Sequence, residues 1–209
     1  MMRFVSIVLT ILLLALGGCS TPTPVPPEVR PVHWAQKVDG AHIRNFWQVA
    51  PDLYRSSYPS GAQDINDLCN VGIETVINLR AHTESEKEIL HGDFITHRYK
   101  MNAGSVSCDG LRTVLRLILD SPKPVLVHCW HGSDRTGFII AGYRIVCQGW
   151  DKEEAIREMR LGGFNFHDYY TTIADTLRTI DVTAMRHELG LKVPLEGERS
   201  HESVIVDVD

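Results

Sequence analysis

Val125-Leu-Val-His128 is a short apolar run, and a second apolar run, Phe138 to Val146, begins a few residues later. The first has the length and β-branched content of a buried strand, and the second that of a helix starting near Arg135. A buried strand that feeds a helix through one tight turn needs parallel neighbours and helices packed over the sheet. That restricts the chain to layered α/β architectures.

The rest of the sequence repeats the alternation. Trp47 to Val49 and Leu53 to Arg55 read as two short strands around the turn Ala50-Pro51-Asp52. Ser60-x-x-Gln63 reads as a capping box opening a helix with Ile65, Leu68 and Val71 on one side, closed by Gly72. Thr75 to Leu79 and Ile95 to Tyr99 read as strands, with a short acidic helix opened by Thr83-x-x-Glu86 between them. Leu111, Val114, Leu115 and Ile118 fall at helical spacing, and Pro122 and Pro124 end that helix. Asp151-x-x-Glu154 opens another helix that stops at Gly162-Gly163, and a last one spans about His167 to Ile180. The expected fold is α/β, with a mainly parallel central sheet flanked by helices.

Composition excludes several classes. At 44% apolar and 22% charged residues, the 209-residue chain has the make-up of a folded globular protein. The net charge is −5 and no stretch is basic enough to neutralise a row of phosphates, so no nucleic-acid partner is expected. Five cysteines are too few for a disulfide scaffold. Cys69 and Cys147 lie on apolar helix faces and are expected to be buried.

The N-terminal segment reads as an address. Met1, Met2 and Arg3 precede the apolar run Phe4 to Leu16, which has the length of a signal-peptide core. It ends in Leu16-Gly17-Gly18-Cys19, which resembles the lipobox of bacterial lipoproteins. The resemblance implies a lipid anchor on Cys19 and a place in the bacterial cell envelope, on the outer membrane facing the periplasm. The expected division is a signal peptide at 1–18, a lipidated Pro/Thr-rich tether at 19–32, a domain at 33–190 and a flexible tail at 191–209.

The chemistry concentrates in Cys129-Trp-His-Gly-Ser-Asp-Arg135-Thr136-Gly137. A strand, a tight turn and a helix N-terminus make an anion cradle, with turn amides pointing inward and the helix dipole adding positive charge. Trp130, His131, Gly132, Ser133, Asp134 and Arg135 would line it, and Gly132 lets it close tightly. The same donors would favour a thiolate at Cys129. Arg135 can return across the loop and grip two phosphate oxygens with its planar fork. Thr136 brings a hydroxyl near the sulfur, and His128 fixes the loop by a hydrogen bond. Trp130 and His131 either line the mouth or pack against it. His128, Cys129 and His131 do not make a metal site, since adjacent residues at a strand end point opposite ways. Neither metal nor cofactor is expected. Arg80, at a strand end, reads either as a residue that reaches the substrate phosphate or as a surface ion-pair residue, the second being favoured.

The pattern His-Cys-x5-Arg-Thr resembles the signature of the cysteine-dependent tyrosine and dual-specificity phosphatases. Asn45-Phe46, Leu53-Tyr-Arg-Ser56, Pro59 and Ile77-Asn-Leu-Arg80 resemble the N-terminal half of the atypical dual-specificity members. Tyr143-Arg-Ile-Val, Gln148-Gly-Trp150 and Glu158-Met-x-x-Gly-Gly-Phe164 resemble bacterial members, periplasmic tyrosine phosphatases among them. The resemblance covers about residues 30–180. It implies a cysteine-phosphatase-like fold and hydrolysis of phosphate monoesters through a phosphocysteine on Cys129, with Arg135 and the loop amides holding the equatorial oxygens. It also implies an acid for the leaving group. Where many members carry an acidic loop, this chain has Asn102-Ala-Gly-Ser-Val-Ser-Cys-Asp109. Asp109 is either that acid or a helix cap, and Asp134 is either an alternative acid or a side chain that steadies the loop.

The expected substrate is phosphotyrosine on a protein, because the loop carries Asp134 and no lysine for a highly anionic ligand. Dual-specificity action or an inositol phosphate is the nearest alternative. A rhodanese-type sulfurtransferase would have a loop one residue shorter, and a phosphate-binding pseudophosphatase would have no use for the thiol.

Overall fold

The computed structural model describes residues 21–81 and 94–192. The leader, Cys19, the short helix expected at Thr83 and the tail beyond residue 192 lie outside the described residues.

Six strands form one sheet: β1 (Gln36–Lys37), β2 (Trp47–Ala50), β3 (Leu53–Ser56), β4 (Thr75–Asn78), β5 (Ile95–Arg98) and β6 (Val125–His128). Their spatial order is β1-β2-β3-β6-β4-β5. β1 and β2 pair antiparallel with their neighbours, while β3, β6, β4 and β5 run parallel. The two-residue strand β1 is too short to show a period of two, and no pattern in the sequence announces it.

The helices are α1 (Ala62–Asn70), α2 (Cys108–Asp120), α3 (Asp134–Val146), α4 (Lys152–Leu161), α5 (Thr171–Thr179) and α6 (Val182–Glu188). Alternation along the strands separates the two faces of the sheet. Val76 and Leu126 join Leu68 of α1 and Phe46 in one cluster. Ile77, Val125 and Val127 join the apolar faces of α2 to α6 in the other. Eleven of the thirteen α3 residues are buried, so it is apolar on every side and the other helices pack around it. Arg144 of α3 and Glu158 of α4 form a buried two-pronged ion pair at 2.9 and 3.0 Å, and Glu158 also accepts from the Ala35 amide at 2.6 Å. These contacts account for the Tyr143-Arg and Glu158-Met segments noted in the sequence.

Several local expectations need correction. The Ser60 amide is capped by Asp64 at 2.8 Å, not through Gln63, because the helix starts at Ala62 with Gly61 before it. The last predicted helix opens four residues late, at Thr171, since Asp168 is held by Arg160 at 2.8 Å outside any helix. A further helix, α6, follows it. Cys69 is exposed rather than buried, on the solvent side of α1.

The domain also reaches further back than residue 33. The Val25 amide donates to the Leu161 carbonyl at 2.9 Å, and Arg30 donates to the Gly162 carbonyl at 2.6 Å. The Arg30 guanidinium lies 4.9 Å from the Trp47 ring centroid and 5.3 Å from that of Trp34. The second half of the expected tether is therefore bound along the end of α4.

Candidate active site

Ser56, His128 and Asn78 occupy the same level at the carboxyl ends of three adjacent parallel strands. β6 comes last of the three in the chain yet lies between β3 and β4, so the chain after it emerges in a crevice flanked by the chains leaving both neighbours. In open α/β sheets this crevice is where ligands bind.

The loop from Cys129 to Ser133 is held there by its carbonyls. The His128 ring donates from Nδ1 to the Cys129 carbonyl at 3.0 Å. The Tyr58 amide donates to the Trp130 carbonyl at 3.1 Å. Asn45 Nδ2 donates to the His131 carbonyl at 2.9 Å, and Arg55 donates to the Gly132 carbonyl at 2.6 Å. Four consecutive carbonyls thus face outward to donors from the surrounding framework. In a trans peptide the N–H points opposite to the C=O, so the next four amides, Trp130 to Ser133, face the inside of the turn.

Two features close the turn. Gly132 has φ +72°, and a Cβ there would collide with the Ser56 carbonyl and stand 2.7 Å from the Ser57 amide nitrogen. Ser133 precedes α3 with no side-chain cap bond, so its hydroxyl leaves the first α3 amides to another acceptor. The Ser133 and Thr136 hydroxyls, Asn78 Nδ2 and one Arg80 nitrogen are buried with no hydrogen-bond partner among the described residues. Cys129 is 2% exposed at the head of the turn, and Arg135, half-buried, lies in the first turn of α3. Inward amides, a helix N-terminus and orphaned donors make a receptor for a small anion beside a thiol.

The match to known proteins agrees with this geometry. Residues 42–172 match the model of the tyrosine phosphatase family. The chain is 34% identical over 177 residues to the dual specificity protein phosphatase TpbA of Pseudomonas aeruginosa, covering 82% of this chain and 75% of that one. A crystal structure of TpbA superposes with a TM-score of 0.69 over 77% of this chain and 99% of that one. The catalytic core of the yeast phosphatase SIW14 shares the fold at 20% identity, with a TM-score of 0.61 over 71% of this chain and 92% of that one. The chain belongs to the tyrosine phosphatase family. It is a cysteine-dependent phosphatase with an α/β fold.

Within this phosphatase the remaining candidates are placed as follows. Trp130 is 50% exposed at the mouth and lies parallel to the Tyr58 ring, 5.9 Å between centroids. Arg80 is not a surface ion-pair residue. It is buried, with its guanidinium 3.9 Å from the Tyr58 centroid and 4.5 Å from that of Trp130. His131 is exposed beside His167, ring centroids 6.3 Å apart. Asp134 accepts from the His167 amide at 2.9 Å and from its ring nitrogen Nδ1 at 3.0 Å, which ties the segment before α5 to the start of α3. Asp109 does not cap α2, because Ser107 does, accepting from the Gly110 amide at 3.1 Å. Its carboxylate is instead held by Arg112 at 2.7 Å, with the side chain 81% exposed.

Sequence reasoning missed Arg55, Tyr58, Asn45 and His167. Arg55 is 1% exposed, stacked 3.8 Å from the Phe164 centroid and reaching the loop carbonyls. Burial pushes its guanidinium down to about 10, partly opposed by Glu158 and Cys129, and it stays charged at neutral pH. The signals were its place in the Leu53-Tyr-Arg-Ser56 segment that resembles the family and an arginine inside a strand that is otherwise buried on both faces.

Proposed function

We propose that this enzyme hydrolyses phosphotyrosine on a protein, with Cys129 as nucleophile and Arg135 as phosphate clamp. The observation that carries the reading is the run of four outward-facing carbonyls from Cys129 to Gly132, which turns the following amides inward around one small anion. With Cys129 only 2% exposed, the thiol is reached by a phosphate standing off on an aromatic ring, and the stacked Tyr58 and Trp130 supply a flat wall at the mouth. A TpbA structure, 34% identical to this chain, was solved in complex with phosphotyrosine.

The steps follow from the chemistry of the parts. The Cys129 thiolate attacks phosphorus in line, forming an S–P bond as the O–P bond to the phenoxide breaks. Arg135 and the amides of residues 130–133 hold the three equatorial oxygens, where charge is greatest in the transition state. The Thr136 hydroxyl stabilises the sulfur as a leaving group. The phenoxide takes one proton from an acid; water then gives a proton back to the conjugate base of that acid as its oxygen attacks phosphorus, which breaks the S–P bond and releases inorganic phosphate and the thiolate. His131, Gly132, Ser133 and Asp134 shape the rest of the cradle.

The test is a panel of phosphotyrosine and phosphoserine peptides and inositol phosphates, run on wild type, Cys129→Ser and Arg135→Lys. Cys129→Ser should abolish turnover and retain binding of a phosphotyrosine peptide. Arg135→Lys should lose at least a hundredfold in rate, since a point charge cannot make the two-pronged grip. Faster turnover of inositol phosphates than of any phosphotyrosine peptide would overturn the substrate assignment.

The reading places the enzyme on a membrane through a lipid on Cys19. Its support is the apolar run Phe4 to Leu16 followed by Leu-Gly-Gly-Cys. Mass spectrometry of membrane-purified protein should find a chain beginning at an acylated Cys19. An unmodified Cys19 in a soluble mature form would remove the anchor from the proposal.

A further inference from the structure

Beside the loop lies a recess of about 270 Å³. Two of its wall residues, His131 and Ser133, belong to the loop itself, and Arg44, Asn45, Ser57, Asn165 and His167 complete the wall. Three observations mark it as built. Asn45 and Asn165 are the only non-glycine residues with positive φ among the described residues, at 55° and 57°, and both line this recess. Asparagine takes left-handed backbone more readily than other side-chain-bearing residues, so two wall residues of the recess are of the type their backbone calls for. The Asn45 conformation is locked, because its side chain bridges the His131 and Phe164 carbonyls and accepts from the Trp47 indole. The Ser133 hydroxyl, one of the orphaned donors of the anion cradle, belongs to a residue that also lines this recess, which makes the two sites contiguous.

The charge of the recess is also defined. Arg44 is exposed and forms no ion pair with a described carboxylate, while its backbone carbonyl is pinned by the Ser57 amide at 2.9 Å. None of the residues lining the recess is acidic, and Asp134, next to Ser133 in the chain, is occupied by the amide and ring nitrogens of His167. His131 adds an exposed imidazole to the rim. What remains is one free guanidinium with hydrogen-bonding groups around it. At about 270 Å³ the space suits a single side chain, being below the usual size of a pocket for a whole organic ligand.

We infer that this recess is a second substrate subsite that takes the carboxylate of an acidic residue flanking the phosphotyrosine. One guanidinium matches one carboxylate in charge and in planar two-pronged geometry. A second phosphate, with its greater charge, would meet only one cationic side chain, Arg44. The inference rests on the phosphotyrosine reading of the main site and adds sequence selectivity to it.

The experiment compares kcat/KM for phosphotyrosine peptides carrying Glu, Ala or Lys on either side, in wild type, Arg44→Ala and Arg44→Glu. Wild type should favour a Glu-flanked over the matching Lys-flanked peptide by about tenfold. Arg44→Ala should bring that ratio close to one, and Arg44→Glu should invert it. Because a ratio within each variant is read, a general loss of activity does not imitate the effect. Turnover of the Ala-flanked peptide reports the main-site reading separately. Good turnover there with a flat Glu-to-Lys ratio overturns the subsite alone. A ratio unchanged in both Arg44 variants overturns it too, as does a peptide phosphorylated at the flanking position outrunning the Glu peptide in an Arg44-dependent way.

Discussion

Gly132 and Ser56 pack backbone against backbone, the Gly132 α-carbon pressed toward the Ser56 carbonyl so that no Cβ fits between them. The contact joins the end of β3 to the apex of the loop that follows β6, and it fixes how deep the cradle is.

Gly132→Ala is expected to fail on two grounds. The residue sits at φ +72°, and the added methyl must displace strand backbone rather than a pliable side chain. Left-handed strain and overpacking together should lower unfolding free energy by about 2–4 kcal/mol. Turnover should fall by at least a hundredfold, because the amides on either side of Gly132 belong to the cradle. Denaturant melts and nitrophenyl phosphate kinetics check both. A variant of wild-type stability and rate would show that the apex is free to move.

Arg55→Met keeps a long apolar stem over Phe164 and removes the donor to the Gly132 carbonyl. The stranded buried carbonyl should cost about 1–3 kcal/mol of stability. The loop loses one of its four outward anchors, so kcat/KM should fall about tenfold or more while the thiol remains. Retention of full activity would assign loop order to the other three anchors.

The loop itself was legible because everything in it is local. Cys129, Arg135 and the helix that follows are contiguous in the chain, and strand-turn-helix spacing alone brings them together. Its supports were not, because parallel pairing of β3 with β6 carries Arg55, Ser56 and Tyr58 to it from some seventy residues away. Asn45 and His167 arrive from irregular segments, where neither a period of two nor of 3.6 exists to be read. Arg80 was misread for a related reason. A lone arginine at a strand end looks like surface until Tyr58 and Trp130 are seen to cover it. The proline-rich run before residue 33 reads as a spacer by composition, and the bonds of Val25 and Arg30 to the end of α4, with Arg30 stacking on Trp34 and Trp47, show part of it to be bound.

Asp109 and Asp134 separate in the structure. Asp109 is exposed on α2 and paired with Arg112, in the position of a surface ion pair. Asp109→Asn should therefore change kcat/KM for an alkyl phosphate, a substrate that needs its leaving group protonated, by less than about threefold. His167→Ala should do more. It removes the ring nitrogen from Asp134 and leaves only the residue-167 amide, and the less neutralised carboxylate beside Arg135 should raise KM for phosphate esters more than it lowers kcat. A large loss in Asp109→Asn confined to poor leaving groups would restore Asp109 as the acid.

Cys147, at the end of α3, gives a prediction in pH. Burial pushes its thiol up to about 11, against a small opposing pull from Arg186 and Lys123. At pH 9 an ordinary thiol is about half ionised, whereas one titrating near 11 is ionised about fifty-fold less. Iodoacetamide at pH 9 should label exposed Cys69 in the folded protein while Cys147 reacts only after urea unfolding, as peptide mass spectrometry would show. The same burial links stability to pH. The folded state keeps this proton at a pH where the unfolded chain has lost it, so the contribution is fully present below pH 9 and lost as pH rises through 11. The stability difference between wild type and Cys147→Ala should therefore shift against wild type by about 1 kcal/mol per pH unit across that window. A difference that stays flat from pH 8 to pH 10.5 would mean that Cys147 ionises as freely in the fold as in the unfolded chain.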